Sequence, residues 1–315
     1  MVSNVPVEGI NIVASPQRKE QIIEQYEVEA LSIGKGRGSL IVDTPEGKLL
    51  LKAYKGFNEK AAVLQEILTH MKKCDKNTEI LIANKDGNYV TKDEDGTGHI
   101  LKTYLPGREC DTRNRSEVMV AVKKLAQLHR HILTYEREDS QLFRVKEHEF
   151  EQLFWGCFRE YDAQATRVAA QYEQFIERYR TEQVYGFCHG DCNQHNITFV
   201  GKELHVLHYE QLRYDMPVSD LAKFMRKILE KNQWEISLGL EMLDAYDQER
   251  ILSYAKKWQL YYRLAYPEKF WKIANHYNNS RKVWVSGRDI EKLSKMQTQE
   301  KQRKQFLEIL FYLGR

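Results

Sequence analysis

The chain is poor in cysteine, with five in 315 residues, at positions 74, 110, 157, 188 and 192. An odd, widely spaced set of this kind excludes a disulfide-stapled scaffold and fits a reduced intracellular protein. No apolar run approaches the ~20 residues that a bilayer-spanning helix needs, so no membrane association is expected. The opening stretch MVSNVPVEGINIV lacks a basic region followed by a long apolar segment. No secretion signal is therefore expected, and the cytoplasm is the expected location. Charge of one sign is missing too. Lys and Arg number 48 against 45 Asp and Glu, for a formal net charge of +3. Such a balance argues against nucleic acid as a partner, because its binders concentrate basic residues on one face. Internal repeats and low-complexity segments are also lacking. What is present is an apolar share of 42%, enough for packed cores, and a length that suggests roughly two of them. Eighteen Tyr and five Trp supply material for packing and for protein contacts.

The first hundred residues read as strands around one helix. Leu31 to Val42 is strand-like on both sides of Gly34, Gly36 and Gly38, and TPEGK follows as a turn. Leu49 to Tyr54 is a short apolar strand containing Lys52. From Asn58 to Lys73, Leu64, Ile67, Leu68 and Met71 fall at helical spacing. Further strands are expected over about 80–83, 89–91 and 99–104. After Leu105-Pro106-Gly107 the pattern turns helical. Val118, Val122, Leu125, Leu128 and Ile132 mark a long helix, with Asn114 and Glu117 placed as a capping box. More helices are expected near 147–161, 165–182, 217–232, 240–263 and 288–312, interrupted by short strands near 184–188 and 203–209. Pro267 is placed to open one more helix.

The segment most informative about chemistry is Cys188-His189-Gly190-Asp191-Cys192-Asn193-Gln194-His195-Asn196, in a loop between two expected strands. It resembles the HGDxxxxN catalytic loop of aminoglycoside phosphotransferases, choline kinases and their relatives. The resemblance implies an α+β, two-lobed protein kinase-like fold, with a β-rich nucleotide-binding lobe over 1–103 and a helical lobe over 104–315. Phosphoryl transfer depends on positioning and charge neutralisation, so it needs an Asp at the acceptor hydroxyl and an Asn on a metal ion. Asp191 and His189 match the catalytic positions, and Asn196 matches the metal ligand. Lys52 resembles the lysine that grips nucleotide phosphates, and Glu66 lies where its ion-pair partner belongs. Gly34 and Gly36 either lay backbone N–H groups over phosphates or mark a plain hairpin. Leu101 to Leu105, including Thr103, resembles the hinge that receives adenine, and LAQLHRHI the helix ahead of the catalytic loop. ATP and Mg2+ are the implied cofactors if the site is active, and otherwise none.

One position departs from the resemblance. Aligning Val206-Leu207-His208-Tyr209-Glu210 with the family's metal-binding strand puts His208 where an Asp is expected. Magnesium prefers hard oxygen ligands, and a neutral imidazole substitutes poorly. On a strand, residues two apart share a face, so Glu210 is the expected substitute ligand. A rival reading gathers Cys188, His189, Cys192, His195, His205 and His208 as zinc ligands, although their spacing matches no zinc pattern.

Ala265-Tyr266-Pro267-Glu268-Lys269-Phe270-Trp271 with Tyr277 and Asn278 looks like the CotS-type branch, which includes the YutH-like coat-associated proteins. That likeness implies a protein made in the mother-cell cytoplasm and associated with the bacterial spore coat, with coat proteins as partners. Two roles follow from the resemblance. One is a degenerate phosphotransferase serving coat assembly, and the other an active enzyme phosphorylating a small hydroxyl or amino substrate or a coat protein.

Overall fold

The computed structural model describes residues 21–36, 38–135, 159–179, 184–279 and 286–314. The chain divides into two compact units, Met1–Lys72 with Glu79–Leu105, and Lys73–Thr78 with Pro106–Arg315.

The first unit is an antiparallel sheet and a helix. β1 (Ser32–Gly36), β2 (Ser39–Thr44), β3 (Gly47–Ala53), β6 (Gly98–Thr103) and β4 (Leu81–Ile82) pair in that order, and β5 (Thr91–Lys92) also pairs with β6. Leu40, Val42, Leu51 and Leu101 form its core with Ile22, Ile23 and Tyr26. α1 (Asn58–Lys72) buries Leu64, Ile67, Leu68 and Met71, the periodic residues of the sequence. Its first residue is tied to the following loop, since the Asn58 side-chain oxygen accepts the N–H of Tyr89 at 2.8 Å. The Lys102 side chain, only 1% exposed, places its ammonium 3.0 and 2.9 Å from the two Glu79 oxygens. Two charges taken out of water need this close, paired geometry to be tolerated.

The second unit is mostly helical. α2 (Arg115–Ile132) packs on α5 (Ile236–Glu249), α6 (Tyr254–Ala265) packs on α3 (Arg159–Arg178), α4 (Val218–Lys231) and α8 (Gly287–Leu313), and α7 (Glu268–Asn279) completes the set. Two small sheets accompany these helices, β10 (Glu203–Val206) with β9 (Ile197–Val200) and β7 (Arg108–Glu109), and β11 (Arg213–Asp215) with β8 (Gly186–Cys188).

The start of α2 follows the capping expectation in part. The Asn114 side chain accepts the Glu117 N–H, but the Glu117 carboxylate turns to Arg108 and to the N–H of Asp111 instead of the cap N–H. The helix expected over 240–263 is two helices. At the break, the Asp247 carboxylate accepts the Leu252 N–H, and Ser253 occupies the N-cap position of α6 in extended backbone. A side chain thus satisfies backbone that the helix would otherwise use. The strand expected over 203–209 stops at Val206, and β9, β11 and β7 are additional. Pro267 does open α7, with the Trp271 N–H bonded to its carbonyl. Most of the helix expected over 147–161 lies outside the described residues.

Candidate active site

The pairing of Cys188 with Arg213 across β8 and β11 brings the loop after β8 beside the segment that precedes β11. The loop turns at Gly190, whose φ is +79° and whose missing Cβ would lie on the Gln211 carbonyl oxygen. Both facts demand glycine. Below the turn sits Asp220, fully buried in the first turn of α4. Its carboxylate accepts the N–H of His189 at 2.7 Å and of Gly190 at 2.9 Å. The ring of His129, from α2, reaches it at 3.3 Å.

Donor chemistry fixes the direction of this chain of bonds. The Arg250 guanidinium donates to the Tyr246 oxygen at 3.2 Å, so the Tyr246 hydroxyl donates to His129 Nδ1 at 2.7 Å, and His129 Nε2–H donates to Asp220. Burial pushes the His129 pKa down against the pull of Asp220, consistent with a neutral ring. Burial alone would raise the Asp220 pKa. The His129 bond and the electrostatic pull of His129, His189 and Arg213 more than offset it, and the value falls to about 2.

His189 is completely buried. Its Nε2 donates to the Leu207 carbonyl at 2.8 Å and its Nδ1 accepts the Asp191 N–H at 3.1 Å. With both nitrogens engaged, the ring orients Asp191 and presents no free nitrogen outward. Asp191 Oδ1 lies 2.8 Å from Lys223 Nζ, which also donates to the Gly190 carbonyl at 2.9 Å. Asn196 Nδ2 bonds the Asp191 backbone oxygen at 2.7 Å and its Oδ2 at 3.2 Å. Partial burial raises the Asp191 pKa, and the Lys223 ammonium outweighs it, leaving the carboxyl below its usual range. The sequence alone does not single out Lys223 as a site residue. The available signal was its position three residues after Asp220, one helical turn along α4 and on the same side.

Asn196 ends a short 3-10 turn over Gln194–Asn196, and its carbonyl accepts the Leu207 N–H at 2.9 Å. Beyond Leu207 the strand expectation fails. His208 adopts left-handed backbone angles, φ 70° and ψ 54°, and caps a 3-10 turn over Tyr209–Gln211. Strand alternation therefore does not relate His208 to Glu210. The Glu210 carboxylate lies 3.7 Å from His208 Nδ1.

In the first unit, Lys52 is half-buried on β3, in register with Ser39 and Ile100, and Glu66 is on the exposed side of α1. Gly34 and Gly36 lie within the β1–β2 ladder, opposite Ile41 and Ser39, and Gly38 makes the turn with φ +68°. Thr103 closes β6, its hydroxyl accepting the Ile80 N–H at 3.0 Å, and Leu105 is half-buried at the end of the unit.

The model of the APH family, the phosphotransferase enzyme family, matches residues 33–261. The chain belongs to that family. No curated protein sequence matches it. Among solved structures, it is similar to an aminoglycoside phosphotransferase from Alicyclobacillus acidocaldarius, at 15% identity and TM-score 0.73, covering 99% of this chain and 98% of that one. It is also similar to the amicoumacin kinase hAmiN in complex with AMP-PNP, Ca2+ and Ami, at 14% identity and TM-score 0.59, with 92% of each chain covered. A third is the spectinomycin phosphotransferase APH(9)-Ia in complex with ADP and spectinomycin, at 12% identity and TM-score 0.52, covering 95% of this chain and 98% of that one. These likenesses establish the kinase-like α+β fold, with its β-sheet N-terminal part and helical C-terminal part.

The donor set of this APH chain does not fit magnesium. An imidazole stands at 208 in place of a hard oxygen, and the Asp191 carboxylate already faces an ammonium. Hard divalent cations need converging oxygens and are repelled by a fixed cation at this range. Among the described residues, no group of three or more His, Cys, Asp or Glu could hold a metal ion. Zinc fares no better. Cys188 and Cys192 are buried, and the ring nitrogens of His189 are both spent on the Leu207 carbonyl and the Asp191 N–H, so these residues do not converge as a zinc set.

Proposed function

We propose that this APH-family chain is a phosphotransferase-fold protein in which metal-dependent transfer is impaired, and that it serves in assembly of the bacterial spore coat. The observation that carries the first half is the segment at His208, where an imidazole on a left-handed residue follows Leu207, whose N–H is bonded to the Asn196 carbonyl. The second half is supported by the likeness of Tyr266 to Asn278 to the CotS-type branch. In this reading the protein is made in the mother-cell cytoplasm and held in the coat by other coat proteins. Phe270, 1% exposed, packs with Ile273, Ala274 and Leu293, with Trp271 partly buried against them, so these aromatics act as core and coat partners would dock elsewhere.

The remaining assignments belong to the same proposal. Lys52, paired with Glu66, takes nucleotide phosphates, Gly34 and Gly36 approach them, and Thr103 and Leu105 border the adenine. Asp191 is the carboxylate at the acceptor. Calorimetry of ATP binding, with and without magnesium, tests the impairment. Affinity unchanged by magnesium is the expected outcome, and a clear magnesium requirement would sink it. Asp191→Asn should leave coat incorporation intact, because a structural role needs no base.

A second reading, an active phosphotransferase on a small hydroxyl or amino substrate or on a coat protein, is favoured by the intact geometry around Asp191. It is ionised, oriented by His189 and backed by a cation, as a group that receives a hydroxyl hydrogen bond should be. Transfer of labelled phosphate from ATP, abolished by Asp191→Asn, would establish it.

A further inference from the structure

α7 is held against α4 by ion pairs. Arg226 bonds Glu268, and Lys269 Nζ lies 3.5 Å from Glu230. Lys272 shares that same Glu268 carboxylate, so one anion serves two cations. On α4, Lys223 and Lys227 stand one turn apart on one face. Lys223 is engaged by Asp191. Lys227 is exposed, and no ion pair holds it among the described residues. Around this corner five cations (Lys223, Arg226, Lys227, Lys269 and Lys272) meet three carboxylates (Asp191, Glu230 and Glu268). Surplus positive charge of this kind is costly unless something neutralises it.

From this arrangement we propose that the corner of α4 and α7 beside Asp191 is a metal-independent binding site for a phosphate-type oxyanion, held by Lys223, Lys227 and Lys272. The inference rests on reading the Asp191 loop as the functional site. Lysine is a compact point charge suited to phosphate, and a doubly charged oxyanion matches the excess of two cations. Two further facts agree. The Lys227 ammonium is disfavoured first by lost hydration and then, against the pull of Glu230, by Lys272, Lys269 and Lys223. Lys272 is likewise disfavoured by lost hydration and by Arg226, against the nearby Asp191 and Glu230. An anion arriving here relieves each of these penalties. The lysines in turn give the oxyanion the positive charge that magnesium would give it elsewhere, at a place where the donor set does not fit magnesium. A cationic ligand meets the opposite balance.

The phosphate has two sources, the end of a nucleotide or a group on an acceptor. Calorimetry with inorganic phosphate in EDTA tests the shared chemistry. Wild-type protein should bind, and binding should weaken as salt rises. Lys227→Ala should weaken it about 3- to 10-fold, a tenfold loss being 1.4 kcal/mol. Lys227→Glu combined with Lys272→Ala should abolish it. Both side chains are exposed, so an unchanged Tm shows the variants folded, and Lys295→Ala, on an exposed face of α8, should change nothing. Absent phosphate binding, or binding unaltered in the double variant, overturns the proposal. Competition with ATP identifies the source. Displacement by ATP, with Lys227→Ala weakening both ligands, assigns the site to the nucleotide, and simultaneous binding assigns it to an acceptor. A magnesium requirement for ATP would refute the proposed impairment while leaving the phosphate result standing, so the two failures are distinguishable.

Discussion

The loop of Asp191 and the segment of His208 touch each other and are held by opposite means. In the loop, a fully buried carboxylate, Asp220, takes two backbone N–H groups, and His189 spends both ring nitrogens on orientation. Nothing there is left to adjust. The segment from Leu207 to Gln211 is tied by the Leu207 N–H to Asn196, by the Leu207 carbonyl to His189 and by the buried Tyr209 ring against His189, and it turns through a left-handed residue. The carboxylate is presented through buried, fully engaged partners, while the neighbouring segment carries an imidazole at 208 on a left-handed backbone. A presented Asp191 paired with Lys223 is useful to a site that meets anions, whether or not a metal is present.

The contrast breaks most visibly at Asp220. Asp220→Ala should cost about 3–5 kcal/mol, because two buried N–H groups and His129 lose their acceptor. Denaturant titration measures it, and a cost below about 1 kcal/mol would remove Asp220 as the anchor. The pH dependence follows in sign. The folded-state value of about 2 lies below the ordinary carboxylate range. The stabilisation is therefore present above that range and is lost as pH falls from about 4 toward 2. Wild type should lose stability in that window more steeply than Asp220→Asn.

The next effect is at the turn. Gly190→Ala should cost about 2 kcal/mol or more, combining positive φ with a clash against the Gln211 carbonyl. Gly201→Ala is its natural control. It shares a positive φ, +61°, but a Cβ there meets nothing within 4 Å, so the strain alone should appear, about 1 kcal/mol. Equal costs at the two sites would mean that the loop and its neighbour are free to move apart.

Much of this was legible in the sequence. The period of Leu64, Ile67, Leu68 and Met71 delivered α1, Pro267 delivered the start of α7, and HGD with a following Asn delivered the loop. The misreadings share a cause. The break between α5 and α6 is made by the Asp247 carboxylate on the Leu252 N–H, and aspartate is common enough inside helices to hide it. The partner of Lys223 is remote in sequence and arrives only through the pairing of β8 with β11 and the docking of α4. At 207–210 the residues alternate like a strand, yet the chain turns, because what shapes them is the bond from Leu207 to Asn196 rather than their own preference.

The smallest expected effect concerns His208 itself. A left-handed conformation costs a non-glycine residue roughly 1 kcal/mol, so His208→Gly should raise stability by about 0.5–1 kcal/mol in denaturant titration, less what glycine loses in chain entropy. A gain would mean that the imidazole is carried at the expense of the fold, which is how residues retained for a site behave. A loss would mean that the ring, 3.7 Å from the Glu210 carboxylate, contributes more to the turn than its backbone costs. His208 would then have become part of the scaffold, as His189 is.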